Sequence, residues 1–110
     1  MVADACIAFY GLRFEVRPDE TEALEKRSDP RMLAARKVGL QHYWGNFDAP
    51  GERYLLFVGT HLATLGPEDG FEVTQTSHEL QNTMEATKAK LQVAGFTGDP
   101  SLYLQWEPDA

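Results

Sequence analysis

Between Leu40 and Thr76 large apolar and polar side chains alternate, and two turn-forming clusters interrupt the alternation, Asp48-Ala49-Pro50-Gly51 and Gly66-Pro67-Glu68-Asp69-Gly70. A period of two is that of a strand, whose successive side chains leave opposite faces. The pattern predicts a meander of three antiparallel strands over residues 40–47, 53–65 and 71–76. Pro50 and Gly51 stand where a type II turn takes them. A hairpin turning there sets Trp44 opposite Leu56 and Asn46 opposite Tyr54. Gly59, midway along a long second strand, is a candidate bulge.

This register separates two faces. Tyr43, Phe47, Leu55 and Phe57 share one, extended by His61, Ala63, Leu65, Phe71 and Val73, and so oily a set is expected beneath helices. The other carries Leu40, His42, Trp44, Asn46, Tyr54, Leu56, Val58 and Thr60, aromatics mixed with hydrogen-bonding groups, as on surfaces that are alternately wet and covered. His42, Trp44, Asn46, Tyr54 and Leu56 are therefore the candidate binding residues. The competing expectation is that residues 18–38 fold over this face and make it a second core. A bulge at Gly59 would exchange the faces of everything after it.

Around the meander the signals are local. Cys6 to Arg17 alternates as a strand, and Pro18 ends it. Asp19 to Arg27 opens acidic and closes basic, as the helix dipole favours. Ser28-Asp29-Pro30 restarts a helix, with Ser28 or Asp29 as cap and Pro30 in the first turn, running to Val38 before Gly39. Thr76 and Glu79 fit a capping box. Leu80, Met84, Thr87, Leu91 and Ala94 recur at helical spacing, and Gly95-Phe96 fits a Schellman stop packing back on Leu91. Residues 101–106 make a last strand with Leu102, Leu104 and Trp106 expected inward. The order β-α-α-β-β-β-α-β predicts one α+β domain over residues 1–110, an antiparallel or mixed sheet of about five strands with helices mainly on one face.

Ten basic against seventeen acidic side chains give a net charge of −7, a field that repels phosphate, so nucleic acid is not an expected partner. No apolar run approaches the ~20 residues of a membrane span. Met1-Val2-Ala3-Asp4-Ala5 shows no basic segment ahead of an apolar one, and Cys6 is a lone cysteine, so a cytoplasmic protein without disulfides is expected. His78-Glu79 opens like a metalloprotease helix, but Asn82 stands where the second histidine belongs. Three scattered histidines and one cysteine predict no metal cluster, and no glycine-rich phosphate loop or nucleophile turn predicts a cofactor or covalent chemistry. Cys6 has no neighbour that would lower its thiol pKa and reads as a small packed side chain. Arg31, Arg36 and Lys37 form the one sizeable basic cluster and suit a helix C-terminus.

The leading expectation is a non-enzymatic interaction domain that forms a homodimer, or meets another protein, through the Trp44/Tyr54 face. The alternative is a small-molecule binder or enzyme whose pocket opens between sheet and helices, with His42, Asn46 and Tyr54 as its polar groups.

Overall fold

A computed structural model describes residues 4–108; Met1–Ala3, part of the segment read for a signal, lie outside them. The chain is α+β, with one antiparallel sheet of four strands and three helices. In chain order these are β1 (Ala5–Val16), a 3-10 turn (Pro18–Glu20), α1 (Thr21–Glu25), α2 (Pro30–Lys37), β2 (Gln41–Asn46), β3 (Tyr54–Leu65), α3 (Ser77–Val93) and β4 (Ser101–Glu107). The sheet order is β2-β3-β1-β4. Each strand–helix–strand unit thus has a strand of the other unit inserted between its own two, a split-βαβ arrangement.

The hairpin register is as expected, Trp44 against Leu56 and Asn46 against Tyr54. Its connection is not a type II turn, because Gly51 lacks the positive φ that the third position of such a turn requires; the Ala49–Pro50 peptide is cis. Asn46 organises it instead: its Nδ2 donates to Gly51 O at 2.7 Å, and its Oδ1 accepts from the Asp48 and Arg53 N–H groups. The third meander strand is absent, so the sheet has four strands and not five. β3 is flanked on both sides by β2 and β1, and a strand following it has no free edge to join. Residues 71–76 accordingly run as an exposed connection to α3.

The β1–β3 irregularity lies at Ala8/Phe9, where Leu62 is the extra residue on β3, and not at Gly59. Gly59 faces Gly11 across the pair. A Cβ on either would collide with the carbonyl oxygen of Val58 or Tyr10 on the opposing strand. The two glycines let the central strands approach where any side chain would hold them apart.

Local signals place the helices well. Asp29 caps α2, accepting the Arg31 N–H at 2.9 Å, and the same carboxylate takes Arg31 Nε at 3.0 Å and Nη2 at 2.9 Å. Asp29 is buried, and the Arg31 hydrogen bonds hold its carboxyl below the ordinary aspartate value against the opposing effect of burial. The Arg31 guanidinium also lies 5.3 Å over the Phe14 ring. Arg36 donates to Arg27 O, so two members of the basic cluster serve the α1–α2 region itself. The Thr76 hydroxyl accepts the Glu79 N–H at the start of α3. At its end Phe96 N–H bonds Leu91 O and Gly95 N–H bonds Gln92 O, with Gly95 at φ 87°, the Schellman geometry.

The helices lie on the other face from the one expected. Leu24 of α1, Met32 and Ala35 of α2 and Leu91 of α3 pack with Leu12, Val16, Leu56 and Val58, and Trp44, Tyr54 and Phe96 join them. This is the main core, and fully burying a side chain such as Leu56 contributes about 1.5–3 kcal/mol. The competing expectation, that residues 18–38 fold over the Trp44/Tyr54 side, describes it. Within this core the hydroxyls of Thr60 and Thr87 meet at 2.6 Å, and Thr87 also bonds the Thr83 carbonyl.

Candidate functional site

The five residues singled out in the sequence do not form an open surface. Leu56 is fully buried. Trp44 and Tyr54 contact one another, with ring centroids 6.4 Å apart, but half-buried against the helical core. Asn46 spends its amide on the turn. His42 lies at an open groove between the α1–α2 segment and β2, about 400 Å³ in volume and bordered by Leu24, Arg27, Met32 and Trp44. Burial there lowers its pKa first, and the positive charges of Arg36 and Arg27 lower it further. Both effects favour the neutral form of His42. The sequence-derived trio His42, Asn46 and Tyr54 does not converge on this groove, which is lined by His42 but not by the other two.

The face without helices is the more unusual surface. Ile7, Phe9, Phe47, Leu55 and Phe57 are buried there although no helix covers them, and Tyr103 packs against them. Phe57 is the hub, its ring 5.4 Å from Phe9, 5.7 Å from Phe47 and 5.7 Å from Tyr103. What shields them is the sheet. The Tyr43 hydroxyl on one outer strand lies 2.7 Å from both carboxylate oxygens of Glu107 on the other. Register sets Glu107 beside Ala5 and aligns Tyr43, through Phe57, with Arg13. In a flat sheet eight residues along the strands and three strand spacings across them would separate the two by roughly 30 Å. The sheet therefore coils until opposite corners touch, a partly closed barrel with an aromatic filling. Burial chiefly, and then the Glu107 carboxylate, push the Tyr43 phenol well above its ordinary pKa, so it remains a proton donor.

Where β2 stops short of the lower half of β3, the coil leaves a hollow of about 260 Å³. Ile7 and Phe9 line it together with Tyr43, Glu107, His61, Gln41, Thr64 and His42, so His42 borders both the groove and the hollow. Gln41 Oε1 accepts the His61 N–H at 2.8 Å, and the His61 ring bonds Thr64 Oγ1 at 2.8 Å. Sequence reasoning placed Tyr43 and His61 on one face but had no signal for Glu107, which is 64 residues from Tyr43. Among the described residues no three His, Cys, Asp or Glu side chains cluster to hold a metal ion. No helix among them is long and apolar enough to cross a membrane.

On the convex side the helical layer stops before β4. α3 packs on β1 and β3, leaving Leu102, Leu104 and Trp106 at 51%, 70% and 55% exposure. These side chains were expected in the core. They point to the helix side, but the helices pack mainly on the other three strands, α2 on β2 and β3 and α3 on β1 and β3. In comparison with known proteins, no family model, curated protein or solved structure matches the chain.

Proposed function

We propose that the chain is a self-associating interaction domain whose contact surface is the outer side of β4. The observation that carries this reading is the stripe of Leu102, Leu104 and Trp106, three large apolar side chains at alternate positions of an edge strand, each more than half exposed. Edge strands of soluble domains are ordinarily blunted by charges, proline or a bulge. β4 carries no charge before Glu107, whose carboxylate is turned inward to Tyr43. Its sequence also suits a two-fold partner. Antiparallel pairing of two copies about Leu104 sets Leu102 against the second copy's Trp106, Tyr103 against Gln105 and Ser101 against Glu107, so no like charges meet. The apolar stripes then run together on one side of the joined sheet, while the net charge of −7 limits association elsewhere on the surface.

The test is sedimentation equilibrium of the wild-type chain and of Leu104→Glu at equal concentration. The wild type sediments as a dimer, and Leu104→Glu sediments as a monomer with an unchanged melting temperature, because a side chain this exposed contributes little to folding. A wild type that remains monomeric at 0.1 mM (on the order of ordinary dimer affinities), or a variant as dimeric as the wild type, refutes the reading.

A further inference from the structure

The hollow of the coiled sheet stands apart from the proposed dimer surface, since strand alternation sends Glu107 to the inner side of β4 and Trp106 to the outer. We propose that it binds a small organic cation, a primary ammonium group carried on a compact apolar body. Three features select that chemistry.

The first is charge. Among the residues lining the hollow, Glu107 is the sole aspartate, glutamate, lysine or arginine, and the overall charge of −7 draws cations and repels anions. The second is unused hydrogen-bonding capacity. A carboxylate offers about four acceptor positions. The single hydroxyl proton of Tyr43, shared between the two oxygens, occupies only part of them. Among the described residues no N–H group donates to this carboxylate, and an ammonium group brings three. The third is the apolar and aromatic lining. Phe9 is fully buried and its ring lies 6.4 Å from that of His61. Ile7 and Phe9, themselves buried, make the wall of the hollow apolar, while the accessible rings of Tyr43 and His61 offer contact for a hydrocarbon body and π-faces for the charge beside it.

Size narrows the class further. At about 30 Å³ for each water-sized group, 260 Å³ admits a body of about nine non-hydrogen atoms, the scale of a benzyl or phenethyl amine. Tyr43 acts here as a positioning residue. It fixes the carboxylate across the mouth of the hollow and, with its raised pKa, keeps its own proton directed at Glu107.

Benzylammonium, benzyl alcohol and benzoate, nearly equal in shape and different in charge, are the probes. Each is titrated into the full chain and followed by amide chemical shifts and calorimetry. Benzylammonium is expected to move the resonances of Phe9, Tyr43 and His61 and to bind at least tenfold more tightly than benzyl alcohol, with benzoate weaker still. Glu107→Gln keeps an acceptor and removes the charge; folded by circular dichroism, it is expected to lose benzylammonium affinity by tenfold or more. Equal binding of the alcohol and the ammonium, shifts confined to residues outside the hollow, or a folded Glu107→Gln with wild-type affinity would overturn the proposal. Should Glu107→Gln fail to fold, the ranking of the three probes on the wild-type chain decides the matter. Sedimentation of the same samples keeps the result separate from that for β4.

Discussion

Asp29 supports two structures at once, and replacing it with two different side chains separates them. Its carboxylate caps α2 and holds Arg31 by two further hydrogen bonds. Asp29→Ala removes both. The lost cap costs about 1 kcal/mol. Stranding a fully buried arginine would cost 3–5 kcal/mol, but the Arg31 side chain is a quarter exposed and has Glu20 Oε2 at 3.4 Å, so roughly 1–2 kcal/mol is the appropriate share of a charge-assisted pair. Together these predict a loss of about 2–3 kcal/mol for Asp29→Ala. Asparagine is as good a cap as aspartate, so Asp29→Asn should lose only the pair, about 1–2 kcal/mol.

Acid provides an independent check on the same carboxylate. Its pKa is depressed in the folded state, so its contribution is fully present above the unfolded value near 3.9 and is lost as pH falls through the folded value. The gap between wild type and Asp29→Asn should therefore be constant from pH 7 to about 5 and should narrow below pH 4. Urea unfolding followed by circular dichroism across that range measures it. An Asp29→Ala cost under about 0.5 kcal/mol, the level of an ordinary surface substitution, would refute the reasoning. So would a wild-type-to-Asn gap that does not close in acid.

Thr87→Val keeps the shape of a buried side chain but leaves the Thr60 hydroxyl without the partner it has at 2.6 Å, and should cost about 1–2 kcal/mol. Thr60→Val with Thr87→Val should recover part of that, a non-additivity that denaturant unfolding of the double-mutant cycle reads directly. Ultraviolet titration should show the Tyr43 phenol ionising above the ordinary tyrosine range. Tyr43→Phe should remove that late step and destabilise the fold by about 1 kcal/mol through loss of the bond to Glu107.

Features that depend on neighbours in sequence were legible from the residues alone. The Trp44–Leu56 register, the Asp29 cap and the Gly95-Phe96 stop each rest on contacts within some twelve positions along the chain. The choice of covered face was not legible, because both sides of the hairpin are rich in large apolar residues. The decision lay with Leu24, Met32 and Leu91, which bury on the Leu56/Val58 side, while the Phe57 side could be sealed without helices by coiling. The third meander strand failed for a related reason. Alternation in residues 71–76 is real, but β1, from far earlier in the chain, already occupies the edge of β3 that such a strand would need.

β4 shows how one strand can serve two surfaces without compromise. Its inward residues hold the coil closed: Tyr103 packs on Phe57, Gln105 accepts from Arg13 at 2.9 Å and Glu107 takes Tyr43. These contacts fix the strand's twist and position, and so determine how its outward residues are presented. Leu102, Leu104 and Trp106 add little to that framework, as their exposure shows. The outer side is therefore only lightly constrained by folding, yet it carries three large apolar groups in contact with water. An apolar stripe carried on a strand already anchored from its other side is the arrangement expected of a contact surface, because the strand loses little further freedom on binding. The same anchoring predicts that loosening the inner side, at Tyr43 or Glu107, weakens association through the strand's position, whereas Leu104→Glu abolishes it and leaves the hollow intact.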